Sequence, residues 1–117
     1  EREGYDSTDR PTIAGIILKR YNEGWKLGLD VTVLYIKKTW DATTITQADL
    51  DSDSPYNTRK FVGLPPTPIC NPGLESINAV RNPVTTSYYY FIRGNDNVTH
   101  YAVTYQEHLD NVSKYLN

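Results

Sequence analysis

The sequence predicts a single α+β domain over residues 1–117, with several helices, one β-hairpin and a long ordered proline-rich loop. Three observations carry this expectation. The stretch SYYYFIRGNDNVTHYAV, residues 87–103, places two runs rich in aromatic and β-branched residues around Gly94-Asn95-Asp96-Asn97, the pattern of an antiparallel hairpin. Apolar residues recur at helical spacing in three other places, each opened by capping chemistry. Residues 54–73, SPYNTRKFVGLPPTPICNPG, hold five of the chain's seven prolines. Proline fixes φ and removes a donor, so this run joins neither a helix nor a sheet interior.

Taken in order, residues 8–23 read as a helix. Thr8 and Asp9 supply capping chemistry, Pro11 sits in the first turn, Ile13, Ile16, Ile17 and Tyr21 share a stripe, and Gly24 is the stop. Residues 30–35, DVTVLY, fit either a strand, by β-branched content, or a short helix capped by Asp30. Residues 46–50 read as one helical turn. In the proline-rich segment, Tyr56, Phe61, Val62, Leu64 and Ile69 are too apolar for a solvated tether, so an ordered loop pinned by side chains is expected, with Cys70 a small buried hydrophobe. Asn71 and Pro72 then repeat the logic of a helix start, leading into Leu74, Ile77 and Val80, and Asn82-Pro83 ends that helix. After the hairpin, Thr104-x-x-Glu107 forms a capping box ahead of Tyr105, Leu109, Val112 and Leu116.

Bulk properties exclude several function classes. A formal charge of -2, with no basic cluster, argues against nucleic acid as a partner. One cysteine allows no internal disulfide, and with two histidines there is no credible zinc set, so no metal is expected. No cofactor is expected either, since there is no glycine-rich phosphate loop. The longest apolar run, residues 13–18, is far shorter than the roughly 20 residues of a spanning helix, and no signal peptide is visible. The start EREG, without an initiator methionine, predicts a fragment whose N-terminal part is missing. Ten of fourteen aromatics are tyrosine, which suits both a small core and a sugar-facing surface.

Among chemistry-bearing residues, His108 reads as a packing residue in the last helix, and His100, on the hairpin, as structural. Carboxylates remain, and glycosidic bond cleavage is work that carboxylates do. Glu1 and Glu3 precede the first helix, and on composition alone they are ordinary solvated charges.

The order of EREG, DRPTIAGIILKR, LDVTVLYI, SPYNTRKFVGLPPTPICNPGLESINAV, NPVTTSYYYFIRG and TYQEHLDNV resembles the catalytic domain of the MltG (YceG-like) endolytic murein transglycosylases. SPYNT, GLPPxPI and NPGLxSI in that order are the specific elements. The resemblance implies that Glu3, the second glutamate of an E-x-E pattern, is catalytic. It keeps Asp30 and Thr32, but Gly28 and Leu29 replace a polar Gln and Ser. Arg59 stands where tyrosine is common, Thr67 where relatives have glycine, and Gly4 where Thr or Ser often follows the glutamate.

The implied reaction breaks the β-1,4 bond between N-acetylmuramic acid and N-acetylglucosamine, leaving a 1,6-anhydro end. Glu3 protonates the leaving oxygen and then accepts the proton of the substrate's own C6 hydroxyl, so one carboxylate suffices. Desolvation against apolar neighbours is expected to keep Glu3 protonated. Residues 54–73 are expected to form one wall of a glycan groove, Tyr56 offering a stacking face and Asn57, Thr58 and Asn71 hydrogen bonds; Asp30 and Thr32 join the substrate-binding set. The implied partners are peptidoglycan strands and peptidoglycan synthases. Contact with a membrane runs only through a missing N-terminal anchor, and the domain works on the membrane's outer face. Two other readings stay open: a non-catalytic peptidoglycan-binding module, and a hydrolase in which Asp30 partners Glu3.

Overall fold

The structure, a computed structural model, describes residues 6–116. Among these the element order is α1 (Asp9–Asn22), α2 (Asp30–Lys37), a 3-10 turn (Ala42–Thr44), α3 (Gln47–Leu50), α4 (Leu74–Arg81), β1 (Tyr90–Arg93), β2 (Thr99–Ala102) and α5 (Tyr105–Tyr115). The class is α+β, as expected. The residues gather into two compact units, one holding residues 6–19 and 74–116, the other residues 20–73. No helix among the described residues is long and apolar enough to cross a membrane.

The first unit is organised by the hairpin. β1 and β2 pair antiparallel with Tyr90 opposite Ala102, Phe91 opposite Tyr101, Ile92 opposite His100 and Arg93 opposite Thr99. At the turn, the Gly94 N–H donates to the Val98 carbonyl (2.9 Å) and the Asn97 N–H to the Gly94 carbonyl (3.0 Å). Side chains leave a strand on alternate faces, so the two faces do different work. On one face Tyr90 stacks on His108 with ring centroids 5.1 Å apart, and His100 on Tyr115 at 3.5 Å. On the other, the Tyr101 hydroxyl donates to Asp9 Oδ1 (2.7 Å) and the Thr99 hydroxyl to Asp9 Oδ2 (2.9 Å). Burial, reinforced by the neighbouring Asp9 carboxylate, holds the Tyr101 phenol well above its ordinary value, so it stays a neutral donor.

α5 starts as its capping box foretells, with Thr104 Oγ1 accepting the Glu107 N–H (3.1 Å), although Glu107 reaches back to the Val103 N–H (3.4 Å) and not to the cap residue. Its inner face differs from the expected stripe. His108, Asn111, Val112 and Tyr115, at i, i+3, i+4 and i+7, are partly buried, while Tyr105, Leu109 and Leu116 are exposed. The physical reason is the surface offered: Tyr90 and His100 are flat rings, and flat rings are their best partners. Both histidines are packing residues, as the sequence indicated.

α4 likewise turns its apolar residues outward: Leu74, Ile77 and Val80 are exposed, and Ser76 and Ala79 are the buried pair. The helix begins at Leu74, so Asn71 and Pro72 precede it and are not its cap and first residue. The chain that follows lies close on α1, where the Val84 N–H donates to the Pro11 carbonyl (3.0 Å). Gly15 makes that approach possible, because a Cβ there would sit 2.0 Å from the Val84 carbonyl oxygen.

In the second unit, Leu27, Val33 and Leu34 supply buried apolar side chains. The Arg20 guanidinium donates to the Leu27 carbonyl (2.6 Å), and Gly24, at φ +77°, lets the chain leave α1. Residues 30–35 are helical, not a strand; the cap position is Leu29, and Asp30 lies within the first turn. α3 has the capping box Thr46 with Asp49, and Lys37 from α2 pairs with the same Asp49 carboxylate at 2.7 Å.

The Lys37 hydrogen bond, followed by the Thr46 N–H, lowers the Asp49 carboxyl from 3.8 to about 2. A depressed folded-state value contributes stability that is complete above the unfolded value and disappears as pH falls through the folded one. Asp49→Asn is therefore expected to lower the urea midpoint at pH 6 and to have lost that deficit, relative to the native chain, as pH approaches about 2. A deficit independent of pH would mean that the ion pair contributes nothing.

Candidate functional site

The candidate site residues within the described chain all belong to residues 20–73, and Glu3 lies outside the described residues. The proline-rich segment has no helix or strand of its own, and it is ordered by polar side chains. Asn57 is fully buried and donates through Nδ2 to the carbonyls of Leu50 (3.0 Å) and Ser52 (2.9 Å), while its Oδ1 accepts the Arg59 N–H (3.0 Å). Its own carbonyl accepts the N–H groups of Lys60 and Phe61. One side chain thus closes a turn and ties it to the end of α3.

Thr58 ties the same turn to the start of α2. Its hydroxyl accepts the Leu29 N–H (2.9 Å) and lies 2.8 Å from the Thr32 hydroxyl, and its carbonyl accepts the Gly28 N–H (3.0 Å). The Thr32 hydroxyl also contacts the Leu29 carbonyl at 2.8 Å. α2 has no side-chain cap at Leu29; the paired threonines, 26 residues apart in sequence, supply polar groups there instead. Thr32 and Thr58 are both buried, so their hydroxyls are spent inside the fold.

Asp30 and Tyr56 are the accessible members. Asp30 Oδ1 accepts from Arg59 Nε (2.9 Å) and Nη2 (2.6 Å), both partners being about half exposed. The Tyr56 ring packs at 48° against Tyr35 with centroids 5.1 Å apart, and its hydroxyl is 2.8 Å from the Thr67 hydroxyl. Asn71 is exposed. The structure therefore brings together Asp30, Thr32 and Thr58 around the start of α2, sets Asn57 against the end of α3 and Tyr56 on a separate aromatic contact, and leaves Asn71 apart.

Two expectations about this segment are corrected. Phe61, Val62 and Leu64 are exposed, so of the apolar residues only Tyr56 and Ile69 turn inward, and the loop is pinned chiefly by Asn57 and Thr58. Cys70 is exposed and not buried; its neighbour Ile69 is the one residue of 68–72 that is partly covered, which leaves no apolar surroundings for the thiol.

Three residues of this region escaped the sequence reading: Tyr35, Arg59 and Thr67. Arg59 and Thr67 left a signal, since both depart from the family pattern, and each contacts one accessible site residue. Among the described residues no group of three or more His, Cys, Asp or Glu side chains is placed to hold a metal ion.

Comparisons extend along the whole chain. The YceG-like family matches residues 1–114. A Bacillus subtilis protein named endolytic murein transglycosylase is 35% identical over 99% of this chain, and a Streptococcus pneumoniae protein of the same name is 31% identical over 100% of it. The chain spans 32% and 22% of those relatives' lengths. The crystal structure of a yceG-like protein from Listeria monocytogenes is similar with a TM-score of 0.87 and 36% identity, covering 94% of this chain and 36% of that one. The specific motifs, the fold and the family match agree, and the chain belongs to the YceG-like family.

Proposed function

We propose that this chain is the catalytic portion of a bacterial endolytic lytic transglycosylase. Its substrate is the peptidoglycan glycan strand, cut at the N-acetylmuramic acid β-1,4 N-acetylglucosamine bond with formation of a 1,6-anhydro end, which terminates strand elongation. The observation that carries the reading is similarity, over essentially the full chain, to two proteins named endolytic murein transglycosylase. In the parent protein the domain works on the outer face of the cytoplasmic membrane, held by an N-terminal anchor beside peptidoglycan synthases.

Glu3 is the proposed catalytic residue. As a neutral acid it gives its proton to the glycosidic oxygen while the C1–O bond breaks; the C6 hydroxyl oxygen then bonds to C1, and the Glu3 carboxylate takes the hydroxyl proton. Acid and base are one group used twice, so no proton is gained or lost. Tyr56, half-exposed with its ring angle fixed by Tyr35 and its hydroxyl held by Thr67, is proposed as a stacking face for a sugar ring. Asp30 and exposed Asn71 are proposed as polar contacts. Thr32, Asn57 and Thr58 support the same wall through the backbone that their buried side chains hold.

The test is mass spectrometry of products after the full-length parent and its Glu3→Gln variant meet uncrosslinked strands. The expected result is anhydro-muramyl ends from the parent and a loss of more than about 1,000-fold in the variant. Reducing muramic acid ends would point to a hydrolase, and intact strands with both proteins to the binding module.

A further inference from the structure

α4 is an amphipathic helix mounted with its apolar side outward. Leu74, Ile77 and Val80, each three residues after the last, form a stripe that is 73%, 44% and 56% exposed, and Val84, just past the helix, adds another exposed aliphatic side chain. Ser76 and Ala79 take the inside. The Ser76 hydroxyl is buried there without a hydrogen-bond partner.

This rotation works twice against the composition of the helix. A buried hydroxyl with no partner carries its full desolvation penalty, and aliphatic surface left in water forgoes its transfer gain. Turning α4 about its axis would relieve both, but contacts with α1 hold it at both ends. At the start, Ser7 Oγ donates to both Glu75 carboxylate oxygens (3.1 and 3.0 Å), and Arg10 pairs with the same carboxylate. Beyond the end, the Val84 N–H donates to the Pro11 carbonyl (3.0 Å), and Gly15 admits the Val84 backbone against α1. The outward stripe is thus built into the unit.

The chemistry of the stripe narrows what covers it. All four side chains are aliphatic, so there is no ring for a sugar to stack on. Glu75 and Arg81, of opposite sign, lie on the same helix, which suits an apolar contact with a polar rim, as between protein surfaces. Length supplies the source. This chain spans 32% and 22% of the Bacillus subtilis and Streptococcus pneumoniae relatives and 36% of the Listeria monocytogenes protein. A surface joined to the domain by the same backbone meets the stripe at high effective concentration, whereas a second copy must be recruited from solution.

We propose that the aliphatic face of α4 is an internal docking surface, covered in the full-length parent by an apolar surface of the same polypeptide that lies outside residues 1–117. The inference goes beyond the reaction and is independent of the role of Glu3.

The experiment is maleimide labelling of the full-length parent carrying Val80→Cys or Leu74→Cys, at opposite ends of the stripe, with Val62→Cys, 61% exposed in residues 20–73, as reference. Each rate is divided by that of the same variant unfolded in urea, and mass in solution is measured by light scattering at two protein concentrations. The expected result is labelling at Val80→Cys and Leu74→Cys about 10-fold or more slower than at Val62→Cys, in a monomeric parent and at a rate independent of concentration. Rates within about twofold of the reference would show an open face and overturn the proposal. Protection that grows with concentration alongside a doubled mass would assign the face to a second copy, and protection that appears only when peptidoglycan strands are added would assign it to glycan. Either would overturn the proposal as well.

Discussion

Replacing Asn57 by alanine is expected to remove about 3–5 kcal/mol of stability, the largest effect of any single polar truncation in residues 20–73. The side chain has no exposed surface and makes three hydrogen bonds to backbone groups of Leu50, Ser52 and Arg59. Alanine leaves two carbonyls and one N–H without their partner, each at a cost of about 1–3 kcal/mol when water cannot reach it. The check is equilibrium urea unfolding, read as a lowered midpoint at constant m-value. A loss under about 1 kcal/mol would mean that water replaces the side chain and that the turn is not closed by Asn57.

Gly15→Ala is the second large expectation, and here two physical effects oppose each other. On helix propensity alone, alanine inside α1 would stabilise the protein by about 1 kcal/mol. The Cβ, however, would meet the Val84 carbonyl oxygen at 2.0 Å, and the obstacle is backbone with no rotamer to change. Relief requires residues 82–86 to move away from α1, at the cost of the hydrogen bond from Val84 to Pro11. Overpacking against backbone at this distance lies at the upper end of its usual range, about 3 kcal/mol, so after the propensity gain the net loss is expected near 2 kcal/mol, or roughly 10 °C in melting temperature for a chain of this size. A raised melting temperature would show that propensity wins and that the close approach is loose.

Much of the fold was legible because local chemistry decided it. The limits of α1, the hairpin about Gly94-Asn95-Asp96-Asn97, the Thr46 turn and the Thr104 cap all follow from residues within a few positions of one another. The errors arose where a distant partner decided. On α5 the apolar periodicity of Tyr105, Leu109 and Leu116 gave way to a face chosen by the rings of Tyr90 and His100. On α4 the small residues Ser76 and Ala79 took the inside. Thr8 and Asp9 carry capping residue types, yet Asp9 spends its carboxylate on β2.

The candidate site was legible as a set of positions and less so as a set of roles. Family motifs pointed to Thr32, Asn57 and Thr58, and all three proved to be buried structural groups whose hydrogen bonds are satisfied within the fold. Polar residues in a motif signal that their geometry matters, and they do not say whether a ligand or the backbone uses it. Arg59 and Thr67 illustrate the converse. They break the pattern and sit on the accessible side chains, Asp30 and Tyr56.

The two-sided hairpin has a consequence for how the protein is made. Its outer strand residues Thr99 and Tyr101 hold Asp9, a partner 92 residues earlier in the case of Tyr101, while its other face waits for His108 and Tyr115. During vectorial synthesis the Asp9 carboxylate leaves the ribosome long before its partners on β2 are made, and the hairpin lacks half of its packing until the last turn of α5 is complete. A slip of one residue in strand register would exchange the aromatic and polar faces and forfeit both partners together. Asp9 at the start of α1 is therefore held by strand residues 90 and 92 positions later, and a truncation within α5 is expected to unseat it.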